Sequence, residues 1–181
     1  MDVVIKMGHP IKHFLTITKH RHKVIAHCAR AGILWQGLRH DLSKYTPTEF
    51  IPGARCYQGT RSPNEREREI YGSSRAWMHH KGRNRHHYEY WNDYNPHTKK
   101  IENVEMPIRF VIEMFCDRVA ASKIYNGKNY TDAAPYEYFL RIKGKHRMHE
   151  KTEELLNSLL EMLRDEGEEK TFAYIKAMKK K

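Results

Sequence analysis

Apolar residues recur at spacings of three and four along much of this chain, and this periodicity constrains the fold more than any other feature. After Pro107 the spacing is followed by Ile108, Val111, Ile112, Phe115 and Val119. Residues 149–164 carry a second set, made of Leu155, Leu156, Leu159, Leu160, Met162 and Leu163. Such spacing places side chains on one face of an α-helix, whereas a half-buried strand needs alternation. No stretch of useful length alternates, so the sequence predicts an all-α fold.

Proline, glycine and capping residues divide the chain into helices and loops. Pro47 is expected to end the second helix, Ser62 to cap the helix that begins at Pro63, and Thr131 to cap a later one. The predicted helices cover Pro10 to about Arg30, 33–44, 63–81 with an interruption near Gly72, a short segment ending at Trp91, 107–126, a segment ending near Gly144, 149–164 and a short stretch after Gly167. A short helical turn could also begin at 46–50. The intervals 51–63 and 92–104 are predicted to be loops, and 179–181 a solvated lysine tail.

The composition predicts a globular protein with anionic partners. The 181 residues suffice for one domain, and 33 Lys and Arg against 22 Asp and Glu give a net charge of +11. This charge favours nucleotides, phosphorylated metabolites or nucleic acid without choosing among them. Three cysteines without a C-x-x-C pair fit a reducing cytoplasm better than a disulfide scaffold or a zinc ribbon. No signal peptide is evident and no apolar run approaches the ~18 residues of a membrane span, so no membrane partner is expected.

Histidines are concentrated in the stretch from Trp77 to Trp91, which reads WMHHKGRNRHHYEYW. The four imidazoles belong to His79, His80, His86 and His87. Neutral imidazole is the commonest metal ligand in proteins, so one hypothesis is a metal site. The alternative is a basic, aromatic surface loop that contacts an anion, and the stretch by itself does not decide between them.

Further candidate ligands lie elsewhere in the chain. His13, Ile17, His20, Val24 and His27 form a second stripe on the first predicted helix, beside the apolar face made of Ile11, Phe14, Leu15, Ile25 and Ala29. His40 and Asp41 are adjacent at the end of the second helix. Asp117 has apolar helical neighbours, and an ionised carboxylate on such a face costs several kcal/mol unless it is paired or bound to a metal. A salt bridge to an arginine is the alternative for Asp117.

The order His20, His40-Asp41-x-x-Lys44 and Asp117-Arg118-Val119-Ala120-Ala121 resembles the framework of the HD-domain metal-dependent phosphohydrolases. The resemblance implies an HD-domain-like helical bundle over residues 1–126, with residues 127–181 as a C-terminal helical extension of the same domain. It also implies one or two divalent transition metal ions, such as Fe, Mn or Zn, and a lysine at position 44 that meets a substrate phosphate. Family members with two metals carry additional histidines where the Trp77–Trp91 stretch stands. The same stretch resembles an uncharacterised bacterial and phage family with the HHKGRNRHHYEYW signature, which implies no activity.

The resemblance leaves some ligand assignments open. The interval between His20 and His40 is shorter than the family usually shows, so His22 or His27 are alternatives to His20. His80 is preferred to His79 because it follows Ile70, Ser73 and Trp77 at helical spacing. His87 is preferred to His86 because it precedes Trp91 and Tyr94 by four and seven residues. The expected metal ligands are His20, His40, Asp41, His80, His87 and Asp117.

These residues suggest a two-metal mechanism with Asp41 as the bridging ligand. Two ions about 3.5–4 Å apart can share a water and stabilise both the attacking and the leaving oxygen of a phosphoryl transfer. Lys44, Arg83 and Arg85 are the expected phosphate contacts. Glu89 is a candidate general base or a partner that orients a histidine, and the alternative is a surface pair with Arg85. The aromatic residues at 88, 90, 91 and 94 either stack a nucleobase or belong to the core and its rim.

Three functions remain open on the sequence. The first is a metal-dependent phosphohydrolase acting on a nucleotide or a similar small phosphate ester. The second is an HD-type di-iron oxygenase, since four histidines and two aspartates match that ligand count. The third is a basic helical nucleic-acid-binding protein with structural histidines, although the basic residues are spread out and no base-recognition motif is evident. The sequence does not specify the oligomeric state.

Overall fold

The computed structural model describes residues 8–143 and 148–178. Its α-helices are Pro10–Arg30 (α1), Leu34–Arg39 (α2), Pro47–Arg55 (α3), Pro63–Tyr71 (α4), Arg75–Lys81 (α5), Ile108–Asn126 (α6), Ala134–Ile142 (α7) and Glu150–Met178 (α8), with 3₁₀ turns at Leu42–Tyr45, Tyr88–Tyr90 and Gly127–Asn129. The prediction of an all-α fold is confirmed. The predicted helix end near Gly144 and the lysine tail at 179–181 lie outside the described residues. No helix in the described ranges combines the length and the apolarity needed to span a bilayer.

A short β-hairpin replaces the loop predicted at 92–104. Asn92–Asn95 (β1) pairs antiparallel with Lys100–Asn103 (β2), and Tyr94 stands opposite Ile101. Both side chains are exposed, so the hairpin contributes no apolar face to the core. Its strands are too short to produce a clear alternation in the sequence, which explains why the pattern did not predict them.

Several predicted boundaries are confirmed, and others are wrong. Ser62 caps α4 by accepting a hydrogen bond from the Asn64 amide, and Gly72 and Gly167 interrupt the helices with left-handed φ angles of 76° and 80°. Thr131 makes no side-chain cap, because α7 begins only at Ala134 and its N-cap position is Ala133.

The region around Pro47 and Pro52 agrees with the prediction only in part. The helical turn expected to begin at 46–50 is confirmed as the start of α3. The second helix ends at Arg39, and Pro47 begins α3 at a position where its missing N–H is not needed. Helix α3 then continues through Pro52 and Gly53 into the interval predicted as a loop. A Cβ on Gly53 would lie 2.5 Å from His13 Nε2, so the glycine allows α1 and α3 to pack closely. Tertiary packing therefore outweighs the low helix propensity of these two residues.

The core is organised around α6, which packs against α1 and α8. Residues 110–116 of α6 are all buried, as expected for a helix covered on several sides. The C-terminal helix contributes Leu156, Leu160 and Ile175 to the same core. On α1 the buried stripe is His13, Ile17, His20, Val24 and His27, whereas Ile11, Phe14 and Leu15 of the predicted apolar face are exposed. The histidine stripe thus faces inward, towards α6.

Candidate metal centre

Four predicted ligands from three separated segments meet beside α6. They are His20 from α1, His40 and Asp41 from the break after α2, and Asp117 from α6, and one ligand atom of each lies within 4.8 Å of the others. His20 Nε2 is 2.9 Å from Asp117 Oδ1. His40 Nε2 is 3.2 Å from Asp41 Oδ2 and 3.4 Å from Asp117 Oδ1. We refer to these four residues as the first ligand group.

A second ligand group consists of Asp41, His80, His86 and His87, whose ligand atoms also lie within 4.8 Å of one another. His80 Nε2 and His86 Nε2 are 3.3 Å and 3.5 Å from Asp41 Oδ1, and His80 Nε2 is 2.9 Å from His87 Nε2. Asp41 belongs to both groups, and its two carboxylate oxygens contact different groups. A carboxylate in this position is suited to bridging two metal ions.

The buried ligand atoms test whether a metal fits this arrangement. The atoms His20 Nε2, His40 Nε2, Asp41 Oδ1, Asp41 Oδ2 and His86 Nε2 are buried and make no hydrogen bond of good geometry among the described residues. They do have ion-pair partners; for example, Asp117 contacts His20 Nε2 and Lys44 contacts Asp41 Oδ2. Leaving such groups unsatisfied costs about 1–3 kcal/mol each, and more when they are charged. Because all five belong to the two ligand groups, coordination would satisfy them together. Imidazole and carboxylate ligands suit Zn, Fe and similar transition metals.

Two buried glutamates contact the opposite ring edges of the histidines. Glu113 Oε1 lies 2.9 Å from His40 Nδ1 and 3.2 Å from His86 Nδ1. Glu49 Oε2 lies 2.7 Å from His80 Nδ1. A protonated Nδ1 that donates to a carboxylate leaves Nε2 free for a metal and holds the ring in place. This arrangement is typical of metal-ligating histidines.

The backbone at Asp41 is held in an unusual conformation. Asp41 is not a glycine, yet it adopts a left-handed backbone with φ 55° and ψ 25°. Aspartate tolerates this region better than most residues, but it remains strained. This conformation lies between the end of α2 and the 3₁₀ turn at Leu42–Tyr45. His40 and Asp41 are therefore not part of a helix. Strain of this kind is often found at functional sites.

The turn that carries His86 and His87 is fixed by a polar side chain. Asn84 is buried, and its Nδ2 donates to His80 O at 2.8 Å and to Ser43 Oγ at 2.8 Å. These bonds connect the turn to the end of α5 and to the 3₁₀ turn after Asp41. They thereby hold His86 and His87 near His80 and Asp41, although no continuous helix carries all four residues.

Burial and neighbouring charges shift the pKa values of the ligand groups in opposite directions. Burial would raise the pKa of Asp41, but His40, Lys44 and His80 hold it well below its usual value. Burial would lower the pKa of His40, but Asp41, Asp117 and Glu113 raise it well above its usual value. Burial, together with the neighbouring His86 and His80, lowers the pKa of His87. Without a metal, a proton on His40 therefore balances part of the negative charge of the carboxylates, a role that a metal cation would otherwise have.

Lys44 lies at the edge of the centre, with Nζ 2.6 Å from Asp41 Oδ2. Burial would lower the pKa of its ammonium group, but the carboxylates of Asp41 and Asp117 raise it above its usual value. Lys44, Asp117 and His87 are only half-buried, whereas the other ligand residues are buried. The accessible side of the centre is therefore formed by residues such as these three, because the other ligand side chains are covered by protein.

Other sequence candidates lie outside the ligand groups. His79 contacts Glu49 Oε1 at 2.6 Å, His22 is exposed, and His27 lies 3.3 Å from Cys116 O. Glu89 makes no contact with the ligand groups among the described residues, and its role as a base stays a prediction. Arg83 and Arg85 line a groove on the outer side of His86.

The aromatic residues of the histidine-rich stretch and the hairpin differ in their exposure to solvent. Tyr88 and Trp91 pack against the core, whereas Tyr90 and Tyr94 are more exposed. The indole of Trp91 donates from Nε1 to Arg85 O at 2.7 Å. Their stacking on a nucleobase stays a prediction.

The sequence did not predict that Glu49 and Glu113 contact the ligand histidines, and it favoured His87 over His86. The preference for His87 assumed helical spacing, but His87 has an extended backbone with φ −87° and ψ 123°, so both neighbouring histidines reach the group. Glu113 could have been found, because it is a carboxylate on the apolar α6 one turn before Asp117. Glu49 follows Pro47 in a polar segment, and we find no sequence signal for its contact with His80.

Comparison with known proteins identifies the family but no activity. Residues 9–162 match the family described as "Family of unknown function (DUF5662)", and this range includes both ligand groups and Glu49 and Glu113. No curated protein and no solved structure matches the chain. Since the match covers most of the chain, the protein belongs to the DUF5662 family.

Proposed function

We propose that this protein is a metal-dependent phosphohydrolase that acts on a nucleotide or a similar small phosphate ester. One observation carries the proposal: two groups of buried imidazole and carboxylate ligands share Asp41. In two-metal hydrolytic sites a shared carboxylate holds neighbouring ions close enough to act on one substrate group. The resemblance to the HD-domain framework supports the same function, as does the net charge of +11.

The residues of the centre have separable roles in this proposal. Divalent ions held by the two groups would lower the pKa of a water molecule and stabilise the charge that develops on the phosphate oxygens. Asp41 holds both groups at a fixed separation. Glu113 and Glu49 keep the Nε2 atoms of His40, His86 and His80 directed towards Asp41.

Lys44 is positioned to contact the substrate. It is the cation next to the shared carboxylate and lies on the more accessible side of the centre. An ammonium group there can donate to a phosphate oxygen and draw an anionic substrate to the opening. In this role Lys44 contributes to substrate binding and turnover and supplies no metal ligand.

The test begins with elemental analysis of protein purified without a histidine tag. The protein is then stripped with a chelator, reconstituted with Mn, Fe or Zn, and assayed for phosphate release from p-nitrophenyl phosphate and a panel of nucleotides. We expect bound transition metal and activity that depends on it. Lys44→Gln should retain metal and lose at least tenfold in kcat/KM. Protein that binds no metal under these conditions contradicts the proposal.

An oxygenase is the second candidate, favoured by the nitrogen-rich ligand set. Five imidazoles and two carboxylates approach one another, and imidazole-rich sites suit iron as well as zinc. Iron-loaded protein prepared without oxygen distinguishes the two functions. Oxygen consumption upon addition of a candidate substrate, without phosphate release, would replace the hydrolase proposal with an oxygenase.

A further inference from the structure

A groove of about 400 Å³ lies on the outer surface beside the second ligand group. It is bordered by the end of α2, the turn after α5 and the first turn of α6. Four arginines from these three segments line it: Arg39, Arg83, Arg85 and Arg109. The groove therefore collects positive charge from distant parts of the sequence.

The four guanidinium groups lack acidic partners. No carboxylate of residues 8–143 or 148–178 forms an ion pair with any of them. Glu113 is the acidic residue of the groove, and it already contacts His40, His86 and Gln36. Arginines that line one groove repel one another, and an anion in the groove would relieve that repulsion.

The groove is separate from the accessible side of the metal centre. Of the ligand groups, His86 alone lines the groove, together with Glu113, which contacts its Nδ1. The Nε2 atom of the same ring faces Asp41. An imidazole ring thus separates the groove from the ligand atoms, and neither Lys44 nor Asp117 lines the groove.

An aromatic surface completes the groove. Trp35 lines it, and 79% of the Trp35 surface is exposed to solvent. Exposed indole rings stack on the faces of nucleobases whatever the base. Guanidinium groups bind phosphate oxygens through paired hydrogen bonds. The volume is in the range of small-ligand sites, which suits a single nucleotide better than a long polymer.

We propose that this groove binds a nucleotide, with its phosphates on the four arginines and its base on Trp35. The site is distinct from the metal centre and does not depend on the hydrolase proposal. Glu113 lines the groove, so a bound nucleotide would lie next to the carboxylate that orients His40 and His86. The nucleotide in the groove is therefore a separate effector of the centre.

The experiment measures ADP binding by calorimetry to the full-length protein after metal removal and in the presence of EDTA. We expect binding that weakens at least tenfold in Arg39→Gln/Arg109→Gln and severalfold in Trp35→Ala. The matched control is Arg141→Gln/Arg75→Gln, which removes two exposed charges outside the groove. Like Arg109→Gln, Arg141→Gln also removes a guanidinium group that lies over an aromatic ring. This control should bind ADP as the unsubstituted protein does. Circular dichroism and melting temperature check that each variant is folded.

Three results would overturn the proposal. The first is the absence of ADP binding at millimolar concentration. The second is binding that Asp41→Asn abolishes but the Arg39/Arg109 variant leaves intact, which would place the nucleotide at the metal centre. The third is much tighter, salt-sensitive binding of a single-stranded oligonucleotide that depends on the same arginines, which would identify a nucleic-acid site.

Discussion

Glu113 Oε1 lies 2.9 Å from His40 Nδ1, although 73 residues separate them in the chain. Both side chains are buried, and the same glutamate also contacts His86 Nδ1 at 3.2 Å. One carboxylate on α6 therefore orients a histidine from each ligand group. Asp117 follows Glu113 by one helical turn, and its Oδ1 lies 3.4 Å from His40 Nε2. Helix α6 thus supplies both a ligand and the support for other ligands.

Glu113→Gln should weaken metal binding about 10–100-fold, because partners that orient ligand histidines contribute this much to affinity. The amide can still accept a hydrogen bond from His40, so the fold should persist while the negative charge is lost. Competition with a fluorescent chelator measures the affinity. Glu137→Gln, on the exposed surface of α7, is the control and should leave affinity unchanged. Unchanged affinity in Glu113→Gln as well would show that Glu113 has no role in orienting the ligands.

Asp41→Asn should abolish metal binding in both ligand groups, since Asp41 belongs to both. Asparagine also tolerates the left-handed backbone, so the substitution avoids added strain. Asp117→Asn and His87→Ala should each affect only one group and leave about half of the metal content. Elemental analysis after gel filtration gives the ratio of metal to protein. The exposed Asp93→Asn serves as control, and loss of half the metal in Asp41→Asn would argue against a shared ligand.

Gly37→Ala should lower the free energy of unfolding by about 1–3 kcal/mol through overpacking. A Cβ at this position would lie 2.5 Å from Cys28 Cβ and 3.4 Å from Ile25 Cα, so α1 and α2 would have to separate. The gain in helix propensity, about 1 kcal/mol, offsets part of the cost. Urea unfolding measures the difference. At Gly82 the nearest atom to an added Cβ is 3.4 Å away, so Gly82→Ala should be tolerated, and equal stability of the two variants would contradict the packing argument.

His27 should make the metal-free protein less stable in mild acid. Its pKa is lowered to about 4 by burial and by Lys123, with Arg30 also lowering it and the Cys116 carbonyl and Glu168 opposing. Because the folded pKa lies below the unfolded value, stability is complete above pH 6.5 and is lost as the pH falls towards 4. A shift of this size corresponds to about 3 kcal/mol.

His27→Phe keeps a ring beside Phe172 and removes the titration. Denaturant unfolding between pH 4 and pH 7 should show a shallower loss of stability in this variant. His22→Phe, at an exposed position of the same helix, should retain the wild-type slope. If His27→Phe shows the wild-type slope too, His27 does not account for the acid sensitivity.

Much of the secondary structure follows from local sequence. Pro10, Ser62, Gly72 and Gly167 act through their own backbone preferences, so the helix ends near them could be predicted. The continuation of α3 beyond Phe50 and the hairpin at 92–103 could not be predicted, because close packing of Gly53 against His13 and the pairing of two short strands depend on distant residues.

The residues of the candidate site also fall into those that the sequence could predict and those that depend on tertiary contacts. The sequence alone determined which side chains have the chemistry of metal ligands. Its resemblance to the HD-domain framework was enough to nominate His20, His40, Asp41, His80 and Asp117. Only the tertiary structure decided that Glu49 and Glu113 lie behind the histidines, that His86 and His87 both reach Asp41, and that four arginines share a groove. The physical reason is that helical periodicity specifies a face of a helix, whereas the ring edge that an imidazole presents depends on contacts with residues far away in the chain.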